Sequence, residues 1–301
     1  SGVPVVSRPA VDVDKNQIFV STGENYSAAM AASDLSENSS NSSAGTRHSD
    51  AIVALDLADG NFLWSHQFQA DDVRNASCDS SWFKSNCVNA GASKNGDFSA
   101  APVAAHLLKI GPVVFAAQKS GLVSALNARD GSVIWQQQLG RGGKFGGIRW
   151  GMAYYPVDKT LYVPVNDQGG EFLSASSAQG APGIYALNAK TGEQRWMYSD
   201  GRACTAQNCR HGFSAAIMVT DELVAAATLD GKIILLDRKT GLPLWQFDTN
   251  RQWPAVNAQE LEGKSAQGGS IDMQGPLIVD DMLVVLSGHD VAGGDGAGNA
   301  L

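Results

Sequence analysis

No apolar run in this chain is long enough to cross a bilayer, and no long amphipathic helical period interrupts its short hydrophobic segments. Basic residues are scarce: 22 Lys and Arg face 30 Asp and Glu, a net charge of −8. With an isoelectric point near 5.0, a nucleic-acid backbone is a poor partner. Among the 5 histidines, His48, His66, His106 and His289 show no metal-ligand spacing. A leader peptide is missing, yet Ser1-Gly2-Val3-Pro4 reads like the middle of a domain, so that absence excludes nothing. What the chain does have is 44% hydrophobic residues over 301 positions, enough for a substantial globular core.

Cysteine is rare too. The 4 present form two tight pairs in polar loops, Cys78 with Cys87 and Cys204 with Cys209. There is no C-x2-C and no obvious second half for a zinc site. Haem attachment fails because Arg210 separates Cys209 from His211. Two disulfides, each stapling its own loop, are the better reading, and they place the protein in an oxidising compartment.

One design recurs four times. Ala54-Leu55-Asp56 is followed by Gly60 and Trp64, and Ala125-Leu126-Asn127 by Gly131 and Trp135. Ala186-Leu187-Asn188 leads to Gly192 and Trp196, and Leu235-Leu236-Asp237 to Gly241 and Trp245. In every copy the Asp or Asn precedes the Gly by four residues and the Trp by eight. Alternation in Ile52, Ala54 and Asp56 suits a strand with two different faces. The Asp or Asn opens a turn by bonding its own following backbone, and Gly supplies the positive φ that closes it. The Trp then lands at a fixed place on the outgoing strand, where a large ring can fill the gap to the next copy.

A further strand pair precedes each copy. Pro9-Ala10-Val11 with Ile18-Phe19-Val20 leads the first, and Ala101-Pro102-Val103 with Val113-Val114-Phe115-Ala116 the second. The third has Met152-Ala153-Tyr154 with Leu161-Tyr162-Val163, and the fourth Ala215–Met218 with Leu223–Ala226. A last pair, Pro276–Val279 with Met282–Val285, opens a fifth unit that stops after two strands. Residues 33–49, rich in Ser and Asn, read as a solvated loop. Four-stranded units in series predict an all-β fold, a β-propeller whose sheets surround a central channel. The whole span 1–301 is then one propeller domain, and because a propeller must close to hide its edges, a partial ring of about five blades.

The Trp repeat resembles the tryptophan-docking motif of the quinoprotein dehydrogenases, eight-bladed propellers that bind pyrroloquinoline quinone (PQQ). The polyvinyl-alcohol dehydrogenase subgroup is the most similar. The supporting strings are Val20-Ser21-Thr22-Gly23-Glu24-Asn25-Tyr26-Ser27, Gly146–Ala153, Leu161–Asp167 and Gly268-Gly269-Ser270-Ile271-Asp272, in the family's order. The resemblance implies hydride transfer from an alcohol to the quinone, a calcium ion polarising the quinone carbonyl, and a carboxylate taking the hydroxyl proton. It puts that base at Asp97; taken alone, Asn95-Gly96-Asp97 would be a turn. Lys119 matches a cation beside the quinone oxygens, and Asn166 a neutral hydrogen-bond partner of the cofactor. Glu24 and Asn25 stand at a calcium-ligand position and Asp97 adds a third donor; Ser99, where lanthanide-dependent relatives carry a second Asp, favours calcium. The implied partners are a small or polymeric alcohol and a c-type cytochrome acceptor, and the implied location is periplasmic or secreted.

Two departures bear on activity. Val6 replaces the Trp on which the quinone stacks in relatives, and Arg8 puts a cation where a small residue is usual. A further calcium-ligating Glu and the family's adjacent-cysteine disulfide are expected upstream of Ser1. Two function classes follow: a PQQ- and calcium-dependent alcohol dehydrogenase, and a non-catalytic propeller scaffold of the cell envelope.

Overall fold

The turn chemistry of the repeat is what closes each hairpin. Gly60, Gly131, Gly192 and Gly241 adopt φ of 74°, 73°, 77° and 73°. Each donates its N–H to the carbonyl of the Asp or Asn four residues earlier, at 2.8–2.9 Å. The same Asp or Asn side chains accept the N–H two residues on, from Ala58, Arg129, Lys190 and Lys239.

The computed structural model describes residues 3–25, 48–70, 72, 96–143, 146–167, 181–201, 212–253 and 265–288. The first blade comprises β1 (Ala10–Asp12), β2 (Gln17–Ser21), β3 (Ala51–Asp56) and β4 (Phe62–Gln67). The second is β5 (Val103–Leu107), β6 (Gly111–Ala117), β7 (Leu122–Asn127) and β8 (Val133–Gln138). The third is β9 (Ala153–Tyr155), β10 (Thr160–Val165), β11 (Gly183–Asn188) and β12 (Gln194–Tyr198). The fourth is β13 (Met218–Val219), β14 (Leu223–Ala227), β15 (Lys232–Asp237) and β16 (Pro243–Asp248). A short pair, β17 (Gln252–Trp253) with β18 (Ala266–Gln267), follows, then β19 (Leu277–Val279) with β20 (Met282–Val284) as the start of a fifth unit. Each four-stranded sheet is antiparallel with its strands in chain order. The first strands of neighbouring blades lie side by side, β1 with β5, β5 with β9 and β9 with β13, so the sheets fan out from a common inner edge.

The same irregularity appears in all four repeat hairpins. Register shifts between Ala54 and Leu55, Ala125 and Leu126, Ala186 and Leu187, and Leu235 and Leu236, directly after the residue paired with the Trp. A bulge there twists the outer strand and aims the indole out of its own sheet. The target is the next blade. Trp64 Nε1 donates to the Ala128 carbonyl at 3.0 Å, Trp135 to Ala189 at 2.9 Å, and Trp196 to Arg238 at 3.1 Å. Each ring roofs the following turn glycine: a Cβ on Gly131, Gly192 or Gly241 would stand 2.5–2.7 Å from it. The core accordingly lies between sheets, as in the cluster of Val113, Phe115, Trp135, Leu161, Val163 and Tyr185 joining the second and third blades.

One expectation needs correction, and one strand pair has no counterpart in the sequence pattern. Trp245 is 44% exposed rather than buried like Trp64 and Trp135, because no described turn follows it to receive the ring. The β17–β18 pair was not legible as strand at all. The cysteine pairs Cys78–Cys87 and Cys204–Cys209 lie outside the described residues.

Candidate active site at one end of the blades

A recurring backbone hydrogen bond marks one end of the fan. The residue just past each second strand donates its N–H to the segment leading into the first strand of the same blade. These bonds join Gly23 to Pro4, Lys119 to Asp97, Asn166 to Gly147, Leu229 to Gly212 and Gly288 to Ser270, at 2.8–3.1 Å. Lys119 and Asn166 therefore hold the same place on neighbouring blades, and Asp97 lies in the segment beside Lys119.

Asp97 is engaged at both oxygens. Oδ1 accepts the Glu24 N–H at 2.7 Å and Oδ2 accepts the Lys119 ammonium at 2.7 Å. The first contact crosses between blades, and glycine permits it: a Cβ on Gly23 would sit 2.6 Å from Asp97 Oδ1. The Asp97 and Lys119 side chains are 11% and 19% exposed, so a small molecule can approach the pair. Gln118 steadies the loop beneath by donating its side-chain N–H to the Gly96 carbonyl at 2.6 Å.

Glu24 meets Asp97 through its backbone, and Asn25, fully buried, gives its N–H to the Asp72 carbonyl at 3.0 Å. Beside them is an acid the sequence did not mark. Asp50, at φ +44°, is fully buried immediately before β3. Burial first, then the negative charges of Asp72, Asp97 and Glu24, push its carboxyl up to about 9. Among the described residues, no three His, Cys, Asp or Glu side chains surround one ion position. The donor chemistry nevertheless suits a hard cation: Glu24, Asp50, Asp72 and Asp97 bring surplus negative charge and oxygen ligands, and Asn25 a neutral one.

Asn166 stands one blade away from Lys119. A Cβ on Gly147, whose carbonyl accepts the Asn166 N–H, would meet the Lys119 carbonyl at 2.3 Å. Asn166 itself is fully buried, its amide oxygen close against Gly212. Asp97, Lys119 and Glu24 are thus in direct contact, whereas Asn166 joins them through the backbone. Val6 is 52% exposed and leaves room at its position.

Further along the same end, three blades share a buried polar knot. Asp272 Oδ1 accepts Trp150 Nε1 at 2.7 Å, the Ser214 hydroxyl at 2.5 Å and the Met273 N–H at 2.9 Å. Its other oxygen lies 3.5 Å from Arg149 Nη1, which also donates to Ser214 Oγ at 3.1 Å. Arg149, Ser214 and Asp272 occupy equivalent positions: each follows an apolar residue (Ile148, Phe213, Ile271) whose N–H bonds the previous blade at the end of its second strand. That alignment, Ile-Arg, Phe-Ser and Ile-Asp, is the sequence signal that could have revealed them.

Comparison with known proteins accords with this architecture. The PQQ_2 family model, described as outer membrane protein assembly factor BamB, matches residues 119–292, more than half of the chain. Polyvinylalcohol dehydrogenase from Sphingopyxis sp. (strain 113P3) is 33% identical over 253 residues, 80% of this chain and 36% of the relative. A polyvinylalcohol dehydrogenase from Pseudomonas sp. is 28% identical over 297 residues, 96% of this chain and 41% of that one. The chain thus spans about two fifths of the length of these curated relatives. Among solved structures, a europium-containing methanol dehydrogenase superposes with a TM-score of 0.59 at 15% identity, covering 99% of this chain and 52% of its own. That likeness concerns the fold, and its propeller agrees with the blades described above. The chain belongs to the PQQ_2 β-propeller family, in which it is similar to the polyvinylalcohol dehydrogenases.

Proposed function

We propose that the chain carries the base-bearing part of a quinoprotein alcohol dehydrogenase (EC 1.1 class), acting with PQQ and calcium on polyvinyl alcohol or a related secondary alcohol. The observation that carries this reading is the Asp97–Lys119 pair, a partly open carboxylate and ammonium 2.7 Å apart at the end of the blades. When bound, the quinone supplies the two-electron acceptor and calcium the Lewis acidity. Asp97 takes the substrate hydroxyl proton at a carboxylate oxygen. The Glu24 N–H on Oδ1 fixes the plane of that carboxylate. The Lys119 ammonium, held on Oδ2, faces negative charge developing beside it. Glu24, Asn25 and Asp97 offer hard oxygens to calcium, and Asn166 a neutral partner to the cofactor. A periplasmic or secreted setting goes with this chemistry, with Cys78–Cys87 and Cys204–Cys209 bridged and a c-type cytochrome as electron acceptor.

A second reading, a non-catalytic envelope scaffold, is favoured by the description of the matched family as an assembly factor and by Val6 in place of a stacking ring. The full-length protein, reconstituted with PQQ and calcium and assayed by dye reduction with alcohols, separates the two. Asp97→Asn is expected to keep quinone binding and to lose ~10²–10⁴ in rate, the usual worth of a general base. Full activity in that variant would overturn the assignment of Asp97. A protein that binds no quinone even as the Val6→Trp variant is the scaffold.

A further inference from the structure

We propose that Asp50 and Asp72 form a binding site for a divalent cation of the calcium class, set behind Asp97 against the backbone of Gly96. Asp50 is 0% exposed, and among the described residues no N–H or hydroxyl donor reaches either of its carboxylate oxygens. The group within side-chain bonding reach is another carboxyl, that of Asp72. Lys119 is bonded to Asp97 instead. A carboxylate taken out of water needs donors, a counter-charge or a proton. Here the donors are absent, and a shared proton would relieve one carboxylate while Glu24 and Asp97 still add negative charge.

The missing Cβ of Gly96 opens the space in which these oxygens come together. Around the point that Cβ would occupy, Gln69 Oε1 lies at 3.0 Å and Asp50 Oδ2 at 3.4 Å. Glycine therefore lets an amide oxygen and a buried carboxylate gather on one side of the backbone. Two carboxylates and a neutral amide oxygen are a fitting nucleus for calcium, whose remaining positions go to carbonyls and water. The site draws on the acids of the first blade, Asp50 before β3 and Asp72 after β4, and stands whether or not the chain oxidises alcohols.

Cation binding by the cofactor-free, full-length protein tests this, with calcium titrated in a calorimeter and terbium followed by luminescence. The wild type is expected to bind, and Asp50→Asn and Asp72→Asn each to weaken binding at least about tenfold, the lower end of what even an outer-sphere partner of a metal costs. Asp14→Asn, an exposed acid at the far end of the first blade, should leave affinity unchanged. Without cation, Asp50→Asn should melt above the wild type, since like-charge repulsion is removed, and calcium should no longer raise its melting temperature. The proposal is overturned if the wild type binds neither ion, or if Asp50→Asn keeps its affinity within twofold. Cation binding that persists in a protein without dye reduction would remove the dehydrogenase reading and leave this site intact.

Discussion

A carboxylate works as a base when it is reachable and its orientation is held, and the surroundings of Asp97 supply both. One oxygen is pinned by a backbone N–H from a different blade, the other by an ammonium, and the side chain keeps 11% of its surface open. Val6 belongs to the same neighbourhood through Pro4, whose carbonyl bonds Gly23, the residue that makes room for Asp97. At 52% exposure Val6 can be enlarged without displacing a core. Val6→Trp is expected to tighten PQQ binding by ~2–10-fold, the equivalent of about 0.5–1.5 kcal/mol for an aromatic stacking contact. Titration of the full-length variant by fluorescence quenching checks it, and an unchanged affinity means that a ring at this position is not what the cofactor needs. Residues of this kind were legible only through resemblance to a family, since Asp97 in Asn95-Gly96-Asp97 has the look of any turn. Asp50 was not legible at all. Nothing periodic marks it, and its character comes from burial beside Asp72, Asp97 and Glu24, acids far from it in sequence.

Elements were far easier to read than residues, because the physics of a hairpin is local. The four-residue step to Gly and eight-residue step to Trp specify a turn and an outgoing strand within one short stretch, and all four copies fold that way. Local spacing could send the indole toward the next copy but could not name what receives it, a carbonyl and a glycine on the next blade. That destination sets the energetics. Trp135→Ala should destabilise the protein by about 3–5 kcal/mol, the cost of deleting a large buried aromatic, with the bond to Ala189 lost as well. Trp64→Ala should cost about as much, because its ring is 8% exposed and docks on the next blade in the same way. Urea denaturation of both full-length variants makes the measurement, and losses no larger than the ~0.5 kcal/mol of a surface substitution would contradict the docking account. The β17–β18 pair escaped the sequence because two-residue strands leave no periodicity to detect.

At the scale of the whole molecule, the blades are tied by contacts that no single hairpin could encode. The Arg149–Ser214–Asp272 knot draws on the third and fourth blades and on the segment leading into β19, and its members are 0–5% exposed. Buried charge of this sort adds little stability over an apolar replacement, yet breaking one side is costly because the partner stays buried. Asp272→Ala removes the acceptor of Trp150, Ser214 and Met273 together with the counter-charge of Arg149. A loss of about 3–5 kcal/mol is expected, read from the denaturation midpoint of the full-length protein. Replacing both partners, Arg149→Met with Asp272→Leu, should recover a large part of that loss, since no charge is then stranded. If the double variant is as unstable as the sum of the two single ones, the residues act independently and the knot does not couple the blades. Recovery means that the pair holds three blades in one arrangement by mutual compensation, around the same end at which Lys119 and Asn166 occupy equivalent positions.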